Sequence, residues 1–338
     1  MLAAIRYMIM SQLGSGLFLI GISILYAITG HLLMSPAKSA VFSMLAEGRY
    51  EIPFLVVLGL VSVGLAIKSG LYPFHYWIPD TYGYATPTAS AVLSGLVSKG
   101  YIFLLIKIFY RVLGQGNVIG SRLVNVLYLF GVAGMVMGSV HAIMEKDTRR
   151  MIAYSSVAQI GYIYMGIGLG TEAGMIAAIF HIFTHSATKA LLFISAVGLY
   201  EVSGDRKDYV SLRGAAYRNP LAGVGFTVGA FSMVGFPMLS GFISKVLFAT
   251  SALESPHKMM PTLLVLAIST ILNAIYFLRL VITLYSRPQL CGRQIYRTRR
   301  SSWNLRLAIW CFIALNLVLG LFSQPIVQAI GDGLAMFA

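Results

Sequence analysis

The chain has 338 residues, 58% of them hydrophobic and only 11% charged, with a mean hydropathy of +0.80. Soluble domains carry about a quarter of their residues as charges, so this composition excludes a soluble fold from end to end. The net charge of +14 would suit a nucleic-acid binder, but the basic residues lie in short joints between apolar runs, where they orient membrane helices, and no nucleic-acid partner is expected.

Apolar runs of about 20 residues, the length that crosses a bilayer, recur along the whole chain. Windowed hydropathy predicts nine spans: Tyr7–Thr29, Ile52–Tyr76, Thr88–Leu113, Val124–Met144, Met151–Gly170, Ala173–Tyr200, Leu221–Leu253, Thr262–Tyr285 and Asn304–Ser323. The first is too long for the apolar core of a signal peptide and lacks a small-residue cleavage site, so it reads as a spanning helix. The expected fold is all-α, a polytopic membrane helical bundle. Cys291 in a basic joint and Cys311 in an apolar run support neither a disulfide framework nor a thiolate metal site, and no redox cofactor is indicated.

Two spans are interrupted in the same way. Ile52–Tyr76 contains Lys68, Gly70 and Pro73, and Leu221–Leu253 contains Gly235, Pro237 and Gly241 followed by Lys245. Proline and glycine open the backbone hydrogen-bond ladder, and carbonyls opened at membrane depth survive only against protein or a water-filled cavity. One such break reads as a packing kink. Two breaks, each with a lysine beside it, point to paired sites in a repeat-built transporter.

Numbering the joints alternately separates the charge. One side collects Arg6, Lys146, Arg149, Arg150, Arg206, Lys207, Arg213, Arg218, Arg287, Arg293, Arg297, Arg299 and Arg300, and the other holds Lys38, Arg49, Arg111, Arg122 and Lys258. Positive loops stay inside, so the N-terminus is expected in the cytoplasm and the C-terminus outside a bacterial or archaeal cell membrane.

The eleven acidic residues all fall in joints, at span ends or in the tail. Lys68, Lys99, His181, His185, Lys189 and Lys245 instead lie inside spans, where an ammonium facing hydrocarbon costs about 2.5–3.5 kcal/mol even on the lenient insertion scale. These groups must face a polar interior. His181, His185 and Lys189 stand at i, i+4 and i+8, on one helix face over two turns, as members of a proton relay would. A zinc pair is the competing reading of the two histidines. Ile182 occupies the place of the metalloprotease general base and no third ligand is nearby, so no metal is expected. Gly134 and Gly138, and the series Gly166, Gly168 and Gly170, are expected to allow close helix approach. Trp77, Trp303 and Trp310 read as interface anchors, and Lys107 and Arg111 as snorkelling cations, while His75, His141 and Arg279 receive no role.

The stretches from Lys68 to Asp80 (KSGLYPFHYWIPD), Pro87 to Ala91 (PTASA), Asp147 to Gly161 (DTRRMIAYSSVAQIG), His181 to Phe193 (HIFTHSATKALLF) and Gly235 to Lys245 (GFPMLSGFISK) together carry a resemblance. In order and spacing the chain resembles the antiporter-like proton-conducting membrane subunits shared by respiratory complex I, Mrp-type sodium/proton antiporters and membrane-bound hydrogenases. The resemblance implies that Lys68 is the lysine of the first broken helix, Lys99 that of the next helix, His181, His185 and Lys189 the central relay, and Lys245 the lysine of the second broken helix. It also implies two inverted five-helix repeats, a place in a multi-subunit assembly, and a cytoplasmic position for the joint from Asp147 to Arg150. Family members begin with several more helices, and their first repeat pairs its lysine with a glutamate that would precede Met1. The resemblance thus leaves three expectations: a separate chain that supplies those helices, a sequence that is a fragment, or a shortened, non-conducting member.

The expected function is movement of protons, or exchange of Na+ for protons, along Lys99, His181, His185 and Lys189 to Lys245. No catalytic site or cofactor is expected in the chain. The expected partners are other membrane subunits of a dehydrogenase, hydrogenase or antiporter complex. Residues 1–123 are expected to form the remainder of the first repeat, 124–285 a complete second repeat, and 286–338 a basic cytoplasmic loop with a C-terminal helix. The competing expectations are a non-conducting scaffold of the same complex and a membrane enzyme holding a metal on His181 and His185.

Overall fold

A computed structural model describes residues 2–48, 50–113, 118–287 and 302–336 as helices joined by short turns. In chain order these are α1 (Leu2–Thr29), α2 (Met34–Ala46), α3 (Glu51–Ser69), α4 (Trp77–Tyr84), α5 (Pro87–Val92), α6 (Ser98–Ile108), α7 (Val118–Met144), α8 (Thr148–Gly168), α9 (Glu172–Glu201), α10 (Ala215–Arg218), α11 (Pro220–Val234), α12 (Ser240–Leu253), α13 (Pro256–Tyr285), α14 (Trp303–Leu321) and α15 (Ser323–Ala335). A π-helical turn, Leu93–Val97, joins α5 to α6. Arg49, Cys291, Arg293, Arg297, Arg299 and Arg300 lie outside the described residues.

Among the described residues, seven helices are long and apolar enough to cross a bilayer: α1, α3, the Pro87–Val112 stretch, α7, α9, α13 and α14. Two of the nine expected spans differ from this set. α8 has 21 residues, but Thr148, Arg149, Arg150, Ser155, Ser156 and Gln159 lower its hydropathy, and all but two of its residues are buried. Protein rather than lipid surrounds it, so it tolerates polar side chains that a peripheral span would not. The stretch 221–253 divides into α11 and α12, neither of which is long enough alone. Around the perimeter Leu19, Ile20, Leu129, Leu264 and Ile271 are exposed, the lipid-facing surface of an integral membrane protein.

Both interrupted helices end in the same cap. Gly70 takes a left-handed φ of 80°, its N–H bonds the Ile67 carbonyl at 3.3 Å, and the Leu71 N–H bonds Ala66 at 3.0 Å. Gly235 takes a φ of 96°, its N–H bonds Ser232 at 3.1 Å, and the Phe236 N–H bonds Phe231 at 3.0 Å. These are the paired bonds of a Schellman motif, which requires the left-handed conformation that glycine adopts without steric cost. The apolar contact that accompanies the motif is present at the second break, where the Phe231 and Phe236 rings stack at 4.4 Å. Pro73 and Pro237 follow and cannot extend the helix.

The glycines of α7 and α8 form a seam. A Cβ on Gly138 would meet the Ala158 nitrogen at 2.6 Å, and one on Gly161 would meet the Gly131 oxygen and Met135 nitrogen at 2.6 Å. The two backbones touch, as small residues permit in membrane helices. Trp77 corrects an expectation: it is 5% exposed and donates its indole N–H to the Ile67 carbonyl at 3.0 Å, so it plugs the first break rather than anchoring an interface. Its buried N–H needs a partner, and the Ile67 carbonyl at the break accepts it on its second lone pair. Trp303 and Trp310 are exposed.

Candidate functional site

The side chains singled out from the sequence divide into a central group around α8 and a peripheral lysine. Lys99 is buried at the start of α6, two residues beyond the π-helical turn, whose wider pitch alters the carbonyl ladder. Side chains also bond carbonyls of this turn: Lys99 donates to the Ser94 carbonyl, Ser98 to Leu93 at 2.9 Å, and Ser186 of α9 to Gly95 at 2.5 Å. Ser94 also reaches Ser156 of α8, hydroxyl to hydroxyl, at 3.0 Å.

On α9 the 3.6-residue repeat brings His181, His185 and Lys189 to one side, and all three are buried. The two imidazoles stack with centroids 5.9 Å apart and planes within 15°. His181 Nδ1 lies 2.6 Å from the Ser244 hydroxyl of α12, and its ring stacks on Tyr162 of α8 at 5.5 Å. Among the described residues no protein group pairs with His181 Nε2 or with either ring nitrogen of His185. Lys189 bends toward α8, donating to the Ile152 carbonyl at 2.7 Å and to the Ser155 hydroxyl at 2.5 Å. His185 lies within the electrostatic reach of Lys99, Lys189 and His181, and His181 within that of Lys245 and Lys99.

Lys245 projects from α12 back across the second break. It donates to the Val234 carbonyl at 2.6 Å, one of those orphaned where α11 stops, and to Thr270 of α13 at 3.0 Å, with the Tyr162 ring 5.9 Å away. Gly241 permits the two stubs to meet: its N–H donates to the Ser232 hydroxyl at 3.3 Å, and a Cβ there would strike the Ser232 carbonyl. Lys68 stands apart. It is half-buried at the end of α3, donating to Ser11 of α1 at 3.2 Å, with the Tyr101 ring of α6 at 5.2 Å.

Several polar groups at the centre were not singled out from the sequence. The Tyr276 hydroxyl of α13 lies against Ser139 and Ser155 and donates to Asn273, whose amide reaches the Tyr162 hydroxyl at 3.5 Å. All of these side chains are buried, so a series of hydroxyls and one amide runs beside the histidines from the Lys189 contact at Ser155 toward Lys245. A buried asparagine in an otherwise apolar helix was the available signal. His75 is buried between the Tyr72 and Tyr76 rings, with His141 at 5.9 Å. Arg279 stacks on the Tyr209 ring at 4.5 Å.

One end of the bundle gathers charge. Asp80, in the first turn of α4, is buried and pairs with Arg6 and, at 3.0 Å, with Arg150, which also bonds Glu145 at 3.0 Å. Asp147 caps α8 by accepting from the Arg149 and Arg150 N–H groups at 2.8 and 3.1 Å. Lys207 donates to the Gly83 carbonyl at 3.1 Å, and its own carbonyl accepts from the Thr148 N–H at 2.9 Å. Burial pushes the Asp208 carboxyl up, but hydrogen bonds from the Ser211 N–H and hydroxyl, both 3.0 Å, outweigh it and hold the group below the usual carboxylate range.

Capped helix breaks with lysines beside them, and buried bases around a polar central helix, define an antiporter-like membrane subunit. The chain belongs to the family described as NADH:quinone oxidoreductase/Mrp antiporter, transmembrane, whose sequence model matches residues 1–273. It is 32% identical over 340 residues to NADH-quinone oxidoreductase subunit N of Desulforudis audaxviator, and 30% identical over 335 residues to that of Halorhodospira halophila. Each alignment covers 96% of this chain and 66% of the relative, so the chain spans just under two thirds of their length. Among solved structures it is similar to a chain of the Mrp complex from Dietzia sp. (26% identity, TM-score 0.85, 97% of this chain and 66% of that one). A chain of respiratory complex I from Thermus thermophilus matches at 26% identity and TM-score 0.72, over 97% of this chain and 68% of that one.

Proposed function

We propose that the chain is a cation-translocating subunit in which protons, or protons exchanged against Na+, move through a relay of Lys99, His181, His185 and Lys189 to Lys245. The carrying observation is the burial of Lys99, His181, His185 and Lys189 around α8, with Lys245 half-buried beside them, while, among the described residues, none of the five pairs with a carboxylate. Clustered cationic sites disfavour simultaneous protonation, so a proton arriving at one promotes departure from the next. The unpaired ring nitrogens of His181 and His185 offer acceptor and donor positions midway. The energy source lies in other membrane subunits of a complex I-like or Mrp-like assembly, which the named relatives support.

The two breaks with equal caps favour a division into a first repeat within 1–123 and a second within 124–285. The charge cluster of Arg6, Asp80, Glu145 and Arg150 is assigned to the cytoplasmic side, together with the N-terminus. In the reconstituted assembly, Lys189→Ala and Lys245→Ala each abolish transport; unchanged transport in both refutes the relay. Repeating the measurement in sodium-free buffer separates proton transport from exchange.

A non-conducting scaffold of the same complex is favoured by one observation: Lys68 has Ser11 and Tyr101 as neighbours and, among the described residues, no carboxylate partner. A complex that assembles and pumps equally well with Lys189 and Lys245 replaced would select this reading.

A further inference from the structure

α14 lies beyond the residues matched by the family model, yet it grips the second helix break at two points one turn apart. Asn316 is fully buried. Its amide N–H donates to the Phe312 carbonyl at 2.9 Å, which turns Oδ1 away from its own helix. Into that oxygen three buried hydroxyls donate: Thr188 of α9 at 2.7 Å, Ser232 of α11 at 3.1 Å and Ser240 of α12 at 3.1 Å. The backbone of Gly320 rests on the Met238 carbonyl and on Leu239, where any Cβ would clash. Met238 itself holds a φ of 72°, a strained conformation for a residue with a side chain.

Each hydroxyl on Asn316 stands next to a group of the relay. Thr188 precedes Lys189, Ser232 lies two residues before the Val234 carbonyl that receives Lys245, and Ser240 lies one turn before Ser244, which bonds His181. We propose that Asn316 is a positioning residue: its amide oxygen ties both stubs of the second break to α9 and sets the geometry in which Lys245 meets Val234 and His181 meets Ser244. The proposal rests on the translocation reading above. A buried polar group shared by three helices and a break is also good glue, and the two roles differ in what they predict. Glue governs assembly; positioning governs the rate per assembled complex.

The test uses the whole assembly with Asn316→Leu, which removes the acceptor, and Asn316→Asp, which keeps one. Transport per assembled complex is expected to fall about tenfold in Asn316→Leu, the scale of a small misplacement, with a changed pH profile, and to return largely in Asn316→Asp. Adding Ser240→Ala to Asn316→Leu should cost little more, since the two share one interaction. Should Asn316→Leu fail to assemble, the pair Thr188→Val and Ser240→Ala removes two donors and is expected to give the same loss. Lys245→Ala is measured beside them. Loss in Lys245→Ala with transport per complex and pH profile unchanged in the clasp variants overturns the proposal alone; unchanged transport in Lys245→Ala removes the reading beneath it, and the proposal with it.

Discussion

The two helix breaks share a cap and differ in what holds the chain beyond it. After Gly70, the stub α4 is fastened by charge: Asp80 to Arg6 and Arg150, and Gly83 to Lys207. After Gly235, the stub α12 is fastened by the Ser240 hydroxyl on Asn316, whose amide oxygen also takes Ser232 of α11. Their lysines, both half-buried, follow suit, Lys68 bound to the Ser11 hydroxyl and Lys245 to an orphaned carbonyl and Thr270. Local glycine and proline chemistry decides where a membrane helix stops, but distant elements decide what the gap can do.

The largest effect that would break this comparison is on transport. Lys245→Ala should abolish it, whereas Lys68→Ala should cost several-fold less, read as proton uptake in vesicles carrying the assembly; equal losses would make the two breaks functionally equivalent. Glycine replacement comes next. Gly70→Ala and Gly235→Ala both force a side chain into a left-handed φ at about 1–2 kcal/mol, and Gly70→Ala also drives a methyl into Ile78. Thermal unfolding should therefore rank Gly70→Ala as the more damaging, because at the second break the neighbour is the flexible Lys245 stem.

Arg150→Gln should destabilise by about 1–3 kcal/mol, since it leaves the buried Asp80 carboxylate with one partner fewer. High salt should reproduce part of that loss and leave the second break untouched. The smallest effect concerns acid. Asp208 is exposed and its folded-state carboxyl lies below the usual range, so its contribution is present above the unfolded value of about 4 and fades as pH falls through the lower folded value. Ser211→Ala, which removes the hydroxyl donor and keeps the N–H, should weaken this acid-side component in a pH series of melting temperatures.

Much of this was legible beforehand because it is written in local chemistry. Gly70, Pro73, Gly235 and Pro237 interrupt apolar runs, and His181, His185 and Lys189 fall on one face by helix geometry alone. The misreadings come from partners remote in sequence. Trp77 carries the marks of an interface anchor, yet a carbonyl ten residues earlier draws it inward. α8 is predicted as a span like the others, yet it falls outside the seven apolar spans because its polar side chains are packed against protein. Asp80 reads as a joint residue until Arg6 and Arg150 close over it. Asn273 and Asn316 are amides within apolar stretches of their helices, and nothing local names the hydroxyls they meet.

The glycine seam between α7 and α8 has a mechanical consequence. With main chain lying on main chain at Gly131, Gly138 and Gly161, no rotamer is available there to absorb a push, and the two helices must travel as a single rod. One end of that rod carries Glu145, Asp147 and Arg150, and its length carries Ile152 and Ser155 beneath Lys189, so a force applied at the charged rim would arrive undamped at an ammonium near the middle of the bundle.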